Sequence, residues 1–205
     1  MVKIKNIITI QHTQSLQHTN GMIGSWTDWD LTELGIEQAN RIGERLSREI
    51  QDKRYVMYSS DLLRAKHTAE IVAEYLGIEP IFTGALREQN LGEAVGKSKE
   101  WADKNTIVRM KTVDDISFKG MESKRDVWHR LSDFHDHIMK SAEENLIIVS
   151  HGGTLSIFFA LWLGLEVEML NKCDLTGKAA GVSFLHEDPD GKRIINRLND
   201  FSYSR

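Results

Sequence analysis

Leu146-Ile147-Ile148-Val149 contains no polar residue, so a strand built from it has no face to offer water and must lie between two covering layers. The run stops on Ser150-His151-Gly152-Gly153, and a second apolar run, 7–10, stops on Gln11-His12-Thr13. In an open α/β sheet, ligands bind in the crevice at the carboxyl ends of the strands. Two histidines at two strand ends therefore point to one shared site. The plainer alternative for each is a buried residue that merely satisfies its hydrogen bonds.

The rest of the chain alternates strands and helices. Thr32 reads as the N-cap of a helix to about residue 50, with Leu34, Ala39, Ile42, Leu46 and Ile50 as its apolar face. Residues 55–58 predict a strand, Ser59-Ser60-Asp61 a helix start, 62–76 a helix and Gly77 its C-cap. A strand over 78–83 and a partly helical stretch over 98–116 follow. Val127, Leu131, Phe134 and Ile138 mark an amphipathic helix within 122–144. The 146–150 strand then leads to an apolar helix over 155–163. Residues 181–187 and 193–198, joined by Asp188-Pro189-Asp190-Gly191, predict a hairpin at the sheet edge. This order predicts an α/β fold, a three-layer sandwich with a mostly parallel central sheet flanked by helices.

A chain of 205 residues suits one domain, expected over 1–205. Its net charge of −4 favours neither nucleic acid nor an anionic membrane, so any phosphate must be bound by a local cluster. The most apolar segment, 155–165, falls well short of the roughly 20 residues that a membrane span needs. Cys173 is the single cysteine and the start lacks a signal-peptide apolar region, so the expected location is cytoplasmic. A monomer and a homodimer are equally compatible with the sequence.

Six stretches occur in a telling order: Gln11-His12-Thr13-Gln14-Ser15, Leu31-Thr32-Glu33-Leu34-Gly35-Ile36-Glu37-Gln38-Ala39, Tyr58-Ser59-Ser60-Asp61-Leu62-Leu63-Arg64-Ala65, Leu86-Arg87-Glu88, Gly120-Met121-Glu122-Ser123 and Ser150-His151-Gly152-Gly153. Together, from about residue 5 to 200, they resemble the signatures of the histidine phosphatase superfamily, the phosphoglycerate-mutase-like group. The resemblance implies that fold, no metal, no cofactor, and a small phosphorylated substrate or phosphate ion as ligand. It implies that His12 attacks phosphorus and becomes transiently phosphorylated, and that Arg64 and His151 bind the phosphoryl oxygens with help from the Gly152 N–H. Glu88 matches the general acid, which protonates the leaving oxygen and then activates water. Such a transition state spreads charge over three equatorial oxygens and needs fixed donors around them.

The departures from the family pattern matter as much. Most active members carry Arg-His-Gly where this chain has Gln11-His12-Thr13, which removes a cation and a glycine beside the nucleophile. Six residues later a phosphate-binding Asn is common; here that register gives His18, with Asn20 out of step and Met22 where a basic residue is frequent. Losing one oriented donor costs about 2.7–4 kcal/mol in the transition state. The expectation is a phosphatase of small phosphomonoesters, attenuated or altered in specificity, with Gln11, Thr13, His18, Gly24 and Gly152 in its binding pocket. The competing readings are a non-catalytic binder of a phosphorylated ligand and a phosphoglycerate-mutase-type transferase, the latter disfavoured by the short chain.

A cap or insert is expected over about 93–118, whose Lys97, Lys99, Lys104, Arg109 and Lys111 read as a solvated face that can also meet an anion. His129, Asp133 and His137 have a spacing that suits zinc but read as a polar helix stripe. Met57, Met110, Met121, Met139 and Met169 read as core filler. Trp26, Trp29 and Trp101 are candidates for a pocket wall, while Trp128 and Trp162 are expected to pack within helices.

Overall fold

The computed structural model describes residues 4–51 and 53–205. Six strands form one sheet: β1 (Asn6–Gln11), β2 (Val56–Ser60), β3 (Pro80–Thr83), β4 (Asn145–Ser150), β5 (Val182–Glu187) and β6 (Arg193–Asp200). Their order is β3-β2-β4-β1-β5-β6, with the first four parallel and the β5–β6 hairpin antiparallel at one edge. Helices α1 (Glu33–Glu49) and α2 (Leu63–Leu76) cover one face, and α4 (Lys124–Lys140) and α5 (Gly152–Trp162) the other. The short α3 (Lys99–Asn105) lies in the segment before α4. The three-layer α/β sandwich with a mostly parallel sheet is the architecture the alternation predicts.

The apolar run explains the layers. Leu146 and Ile148 pack with α4 and α5, whereas Ile147 and Val149 pack with α1 and α2, so strict alternation of side chains feeds two cores. All four are fully buried. Truncating one of them, Ile148→Ala for instance, is expected to cost about 2–5 kcal/mol.

Several local expectations shift. Leu34 is exposed; the buried stripe of α1 runs through Gly35, Ala39, Ile42, Gly43 and Leu46, one residue round the helix. Ser59 and Ser60 finish β2 rather than start α2. The N-cap is Leu62, and Asp28 from a distant loop accepts the Leu63 N–H at 3.2 Å, a tertiary partner that no local pattern discloses. Helix α5 begins at Gly152, directly after the strand, not at 155. Met110 and Met169 are exposed, whereas Met57 and Met121 are buried. No helix among the described residues is long and apolar enough to cross a membrane.

Candidate active site at the carboxyl ends of the strands

Register sets the site. Gln11 pairs with Ser150, and the His12 N–H donates to the Ser150 carbonyl at 2.9 Å, so His12 and His151 emerge side by side from adjacent strands. Their ring centroids lie 5.1 Å apart, edge to face. Only 2% of His12 and none of His151 is exposed.

The tautomer of His12 follows from its partners. Nδ1 lies 2.9 Å from the Thr13 carbonyl, which can only accept, so Nδ1 carries the proton. Arg64 Nε–H donates to Nε2 at 3.2 Å, so Nε2 holds the lone pair. Burial, followed by the Arg64 guanidinium, holds the imidazole well below the ordinary 6.5. The outcome is a neutral ring with a nucleophilic nitrogen fixed in direction.

Arg64 stands in the first turn of α2 with no exposed surface. Its Nη1 donates to the Thr27 carbonyl at 3.0 Å and its Nη2 to the Ser25 carbonyl at 2.7 Å. Burial lowers its pKa to about 10, still protonated at neutral pH, and the charges of Glu88 and Asp28 act the other way. Among the described residues no carboxylate forms an ion pair with it; Asp61, its sequence neighbour, pairs instead with Arg87 through two bonds of 2.7 and 2.6 Å. A buried cation held by carbonyls and an imidazole keeps its charge available for an anion.

His151 is the N-cap of α5 and lies 2.8 Å through Nε2 from Ser60 Oγ. Its Nδ1 is buried without a partner among the described residues. Burial, then Arg64, then His12 hold its pKa well below 6.5. Ser60 was not singled out as a site residue by sequence reasoning; its place at the end of β2, next to β4, is the signal that would have found it.

His18 stacks on His12 with centroids 5.5 Å apart. The Ser15 N–H donates to its Nδ1 at 3.0 Å, and burial, Arg64 and Lys99 all lower its pKa. It is a neutral donor through Nε2–H, not the cation that an exchange for Asn would otherwise have supplied. Asn20 is exposed and accepts the Met22 N–H at 2.9 Å within its turn.

The remaining residues divide. Thr13 turns toward α2, its N–H donating to Thr68 Oγ1 at 3.2 Å and its own Oγ1 lying 3.3 Å from that hydroxyl, and its backbone is not left-handed, so the position accommodates a side chain. Gly24 leaves room for Gln17, whose side-chain oxygen occupies the space of a Cβ. A Cβ on Gly152 would come within 3.1 Å of the Gln11 amide, and one on Gly153 within 2.7 Å of Glu88 Oε1. The two glycines thus admit two side chains to the start of α5. Glu88 accepts the Gly153 and Thr154 N–H groups at 3.2 Å each, Thr154 Oγ1 at 3.2 Å and its neighbour Gln89 N–H at 2.9 Å. That is the end of a helix where a carboxylate is favoured.

Trp26 donates to the Glu88 carbonyl at 2.6 Å, and Trp101 packs on Phe118 in a small apolar cluster of the 93–118 segment. That segment bonds to the 21–24 loop, with Ile23 N–H to Lys97 O at 2.8 Å and Gly96 N–H to Ile23 O at 3.0 Å. His129, Asp133 and His137 line the solvated side of α4, and among the described residues no group of three side chains is placed to hold a metal.

A neutral nucleophilic imidazole, an unpaired guanidinium, a second imidazole and a carboxylate on a helix end make a site able to receive a tetrahedral anion. Comparison with known proteins agrees. Residues 7–200 match the profile of the histidine phosphatase superfamily, branch 1. The chain is 28% identical over 206 residues, 98% of each protein, to "Putative phosphoserine phosphatase 2" of Hydrogenobacter thermophilus. It is 30% identical over 162 residues, 73% of this chain and 75% of the other, to a 2,3-bisphosphoglycerate-dependent phosphoglycerate mutase of Rhizobium etli. A mycobacterial glucosyl-3-phosphoglycerate phosphatase, solved with inorganic phosphate, shares the fold with a TM-score of 0.82 at 21% identity, covering 98% of this chain and all of that one. With the profile spanning nearly its whole length, this chain belongs to branch 1 of the histidine phosphatase superfamily.

Proposed function

We propose that the protein hydrolyses a small phosphomonoester through a phosphohistidine on His12. Nε2 attacks phosphorus, the phosphorus–oxygen bond to the leaving group breaks, and protonated Glu88 gives its proton to the departing oxygen. Water then attacks the phosphohistidine, Glu88 takes a proton from it, and the phosphorus–nitrogen pair returns to Nε2 as inorganic phosphate leaves. Arg64 Nε–H, directed at Nε2 in the structure, turns to a phosphoryl oxygen as the new bond forms. His151, the Gly152 N–H, His18 Nε2–H and the Gln11 amide are the further donors, and residues 93–118 act as the cap. With Gln11 in place of a cation, the expected rate is below that of relatives carrying Arg. We place the reaction in the cytoplasm, in keeping with the single, exposed Cys173.

The observation that carries this reading is the buried, unpaired Arg64 aimed at a lone-pair nitrogen. A second reading, binding of a phosphorylated ligand without turnover, draws on the near-complete burial of His12 beneath His18. Transfer to a sugar acid, as the name of the Rhizobium etli relative describes, would use the same phosphohistidine with another acceptor. Incubation with 4-nitrophenyl phosphate beside a His12→Ala variant decides between hydrolysis and binding. Release of nitrophenol by the wild type and none by the variant is expected; none from either leaves the binder.

A further inference from the structure

The segment that carries Glu88 leaves a single 3-10 turn, Gly84–Leu86, for irregular backbone, and five consecutive carbonyls, of residues 85–89, each accept a side-chain donor. Ala85 O accepts from Arg130 at 2.7 Å, Leu86 O from Ser150 at 2.7 Å, Arg87 O from Thr154 at 2.8 Å and Gln89 O from Ser25 at 2.7 Å. Glu88 O accepts two, from Trp26 at 2.6 Å and from Arg130 at 3.1 Å. Arg130 therefore grips the segment at two points, Ala85 within the 3-10 turn and the candidate acid itself. It is held in turn by Glu122, whose carboxylate takes its Nε and Nη2 at 3.0 and 3.2 Å and also accepts the Asn90 N–H at 2.8 Å, just past Glu88. About a fifth of each side chain of this pair is exposed, 19% and 21%. A planar guanidinium bound on two edges by carboxylate and carbonyls has little freedom, and general acid–base catalysis is sensitive to fractions of an ångström.

We propose that Arg130, oriented by Glu122, is a positioning residue that fixes Glu88 for proton transfer. The proposal rests on the reading of Glu88 as acid and base. Arg130 sits on α4, outside the strand ends; it touches the Glu88 loop through the backbone, and its charge also helps to lower the His151 pKa, an effect that Arg130→Lys retains.

The test compares kcat/KM for 4-nitrophenyl phosphate, whose leaving group needs little protonation, with phenyl phosphate, whose more basic oxygen needs it. Glu88→Gln sets the reference. Arg130→Met and Glu122→Gln are expected to lose on the order of tenfold or more on phenyl phosphate beyond any loss on 4-nitrophenyl phosphate. Adding Arg130→Met to Glu88→Gln is expected to cost nothing more, the non-additivity of residues acting as one unit. Arg130→Lys should restore part of the difference. Equal losses on both esters, or additive losses in the double variant, overturn the proposal. Should Arg130→Met fail to fold, Glu122→Gln, which keeps the shape but sets an NH2 group where one of the two accepting oxygens stands, carries the same comparison. A wild type that turns over neither ester removes the reading beneath, and the proposal with it, before any variant is compared.

Discussion

Buried histidines occur toward both ends of the same sheet, His135 at one and His12 with His151 at the other. At the amino end of β1, His135 is 7% exposed, edge-on to Phe158, with an unpartnered Nε2 and a pKa lowered chiefly by burial. Arg193, Asp136 and Glu187 are its charged neighbours, Asp136 at 3.7 Å from Nδ1, and Arg193 pairs with Glu187 at 3.7 Å while lying over Trp162. At the carboxyl end His12 and His151 are as deeply buried and shifted in the same direction, but among the described residues no carboxylate forms an ion pair with Arg64 there. Burial and a depressed imidazole pKa are thus common to both ends. What distinguishes the candidate active end is a cation without an ion pair beside a ring whose tautomer is fixed.

Removing each arginine tests that contrast most strongly. Arg64→Met is expected to lower kcat/KM for an aryl phosphate roughly 100- to 1,000-fold, the cost of one oriented donor to a transition-state anion. Arg193→Met should leave kcat/KM within about twofold and lower unfolding stability by about 1–3 kcal/mol, since Glu187 stays buried without its partner. Equal loss of activity in both variants would erase the distinction.

Gly153→Ala comes next. The new Cβ would sit 2.7 Å from Glu88 Oε1, so the carboxylate must move. Turnover is expected to fall roughly 10- to 100-fold while urea unfolding changes little, the loss coming from displaced acid–base chemistry. Gln11→Arg works in the other direction. A cation beside Gly152 at the start of α5 should raise kcat/KM by about tenfold, measured on the same ester.

The smallest effect is on pH. The folded pKa values of His12, His151 and His135 lie below the ordinary 6.5, so below that pH the unfolded chain binds more protons than the folded one. Stability is therefore intact above about pH 6.5 and is lost as pH falls through and below it, by at most about 1.4 kcal/mol per unit for each group. His135→Leu should flatten that slope in melting experiments between pH 7 and 5 without altering kcat/KM. An unchanged slope would mean that His135 contributes nothing to it.

The fold class was legible because the 146–149 run and the 7–10 run carry their information locally: alternation assigns each side chain to a layer, and helices between strands give the parallel sense, while the strand order, with β4 between β1 and β2, has no such local signal. His12, His151 and Arg64 were legible by the same route, through strand ends and motif order. Less legible was everything made by tertiary contact. Ser60 faces His151 only because β2 and β4 are neighbours, and Asp28 caps α2 from a loop far away in sequence. Nothing in the sequence marks Arg130, whose partners are carbonyls distant in the chain. Gly152 is marked in the sequence by its N–H alone; that it and Gly153 also make room for the Gln11 and Glu88 side chains is a tertiary matter.

The account stands on His12 Nε2 as the atom that takes the phosphoryl group. The most direct test is rapid acid-free quenching of the enzyme with 4-nitrophenyl phosphate, followed by peptide mass spectrometry under alkaline conditions. An acid-labile phosphoryl group on the peptide containing His12, absent from His12→Ala, is the predicted result. Turnover without any phosphorylated peptide, or with the group on His18 or His151 instead, would contradict it.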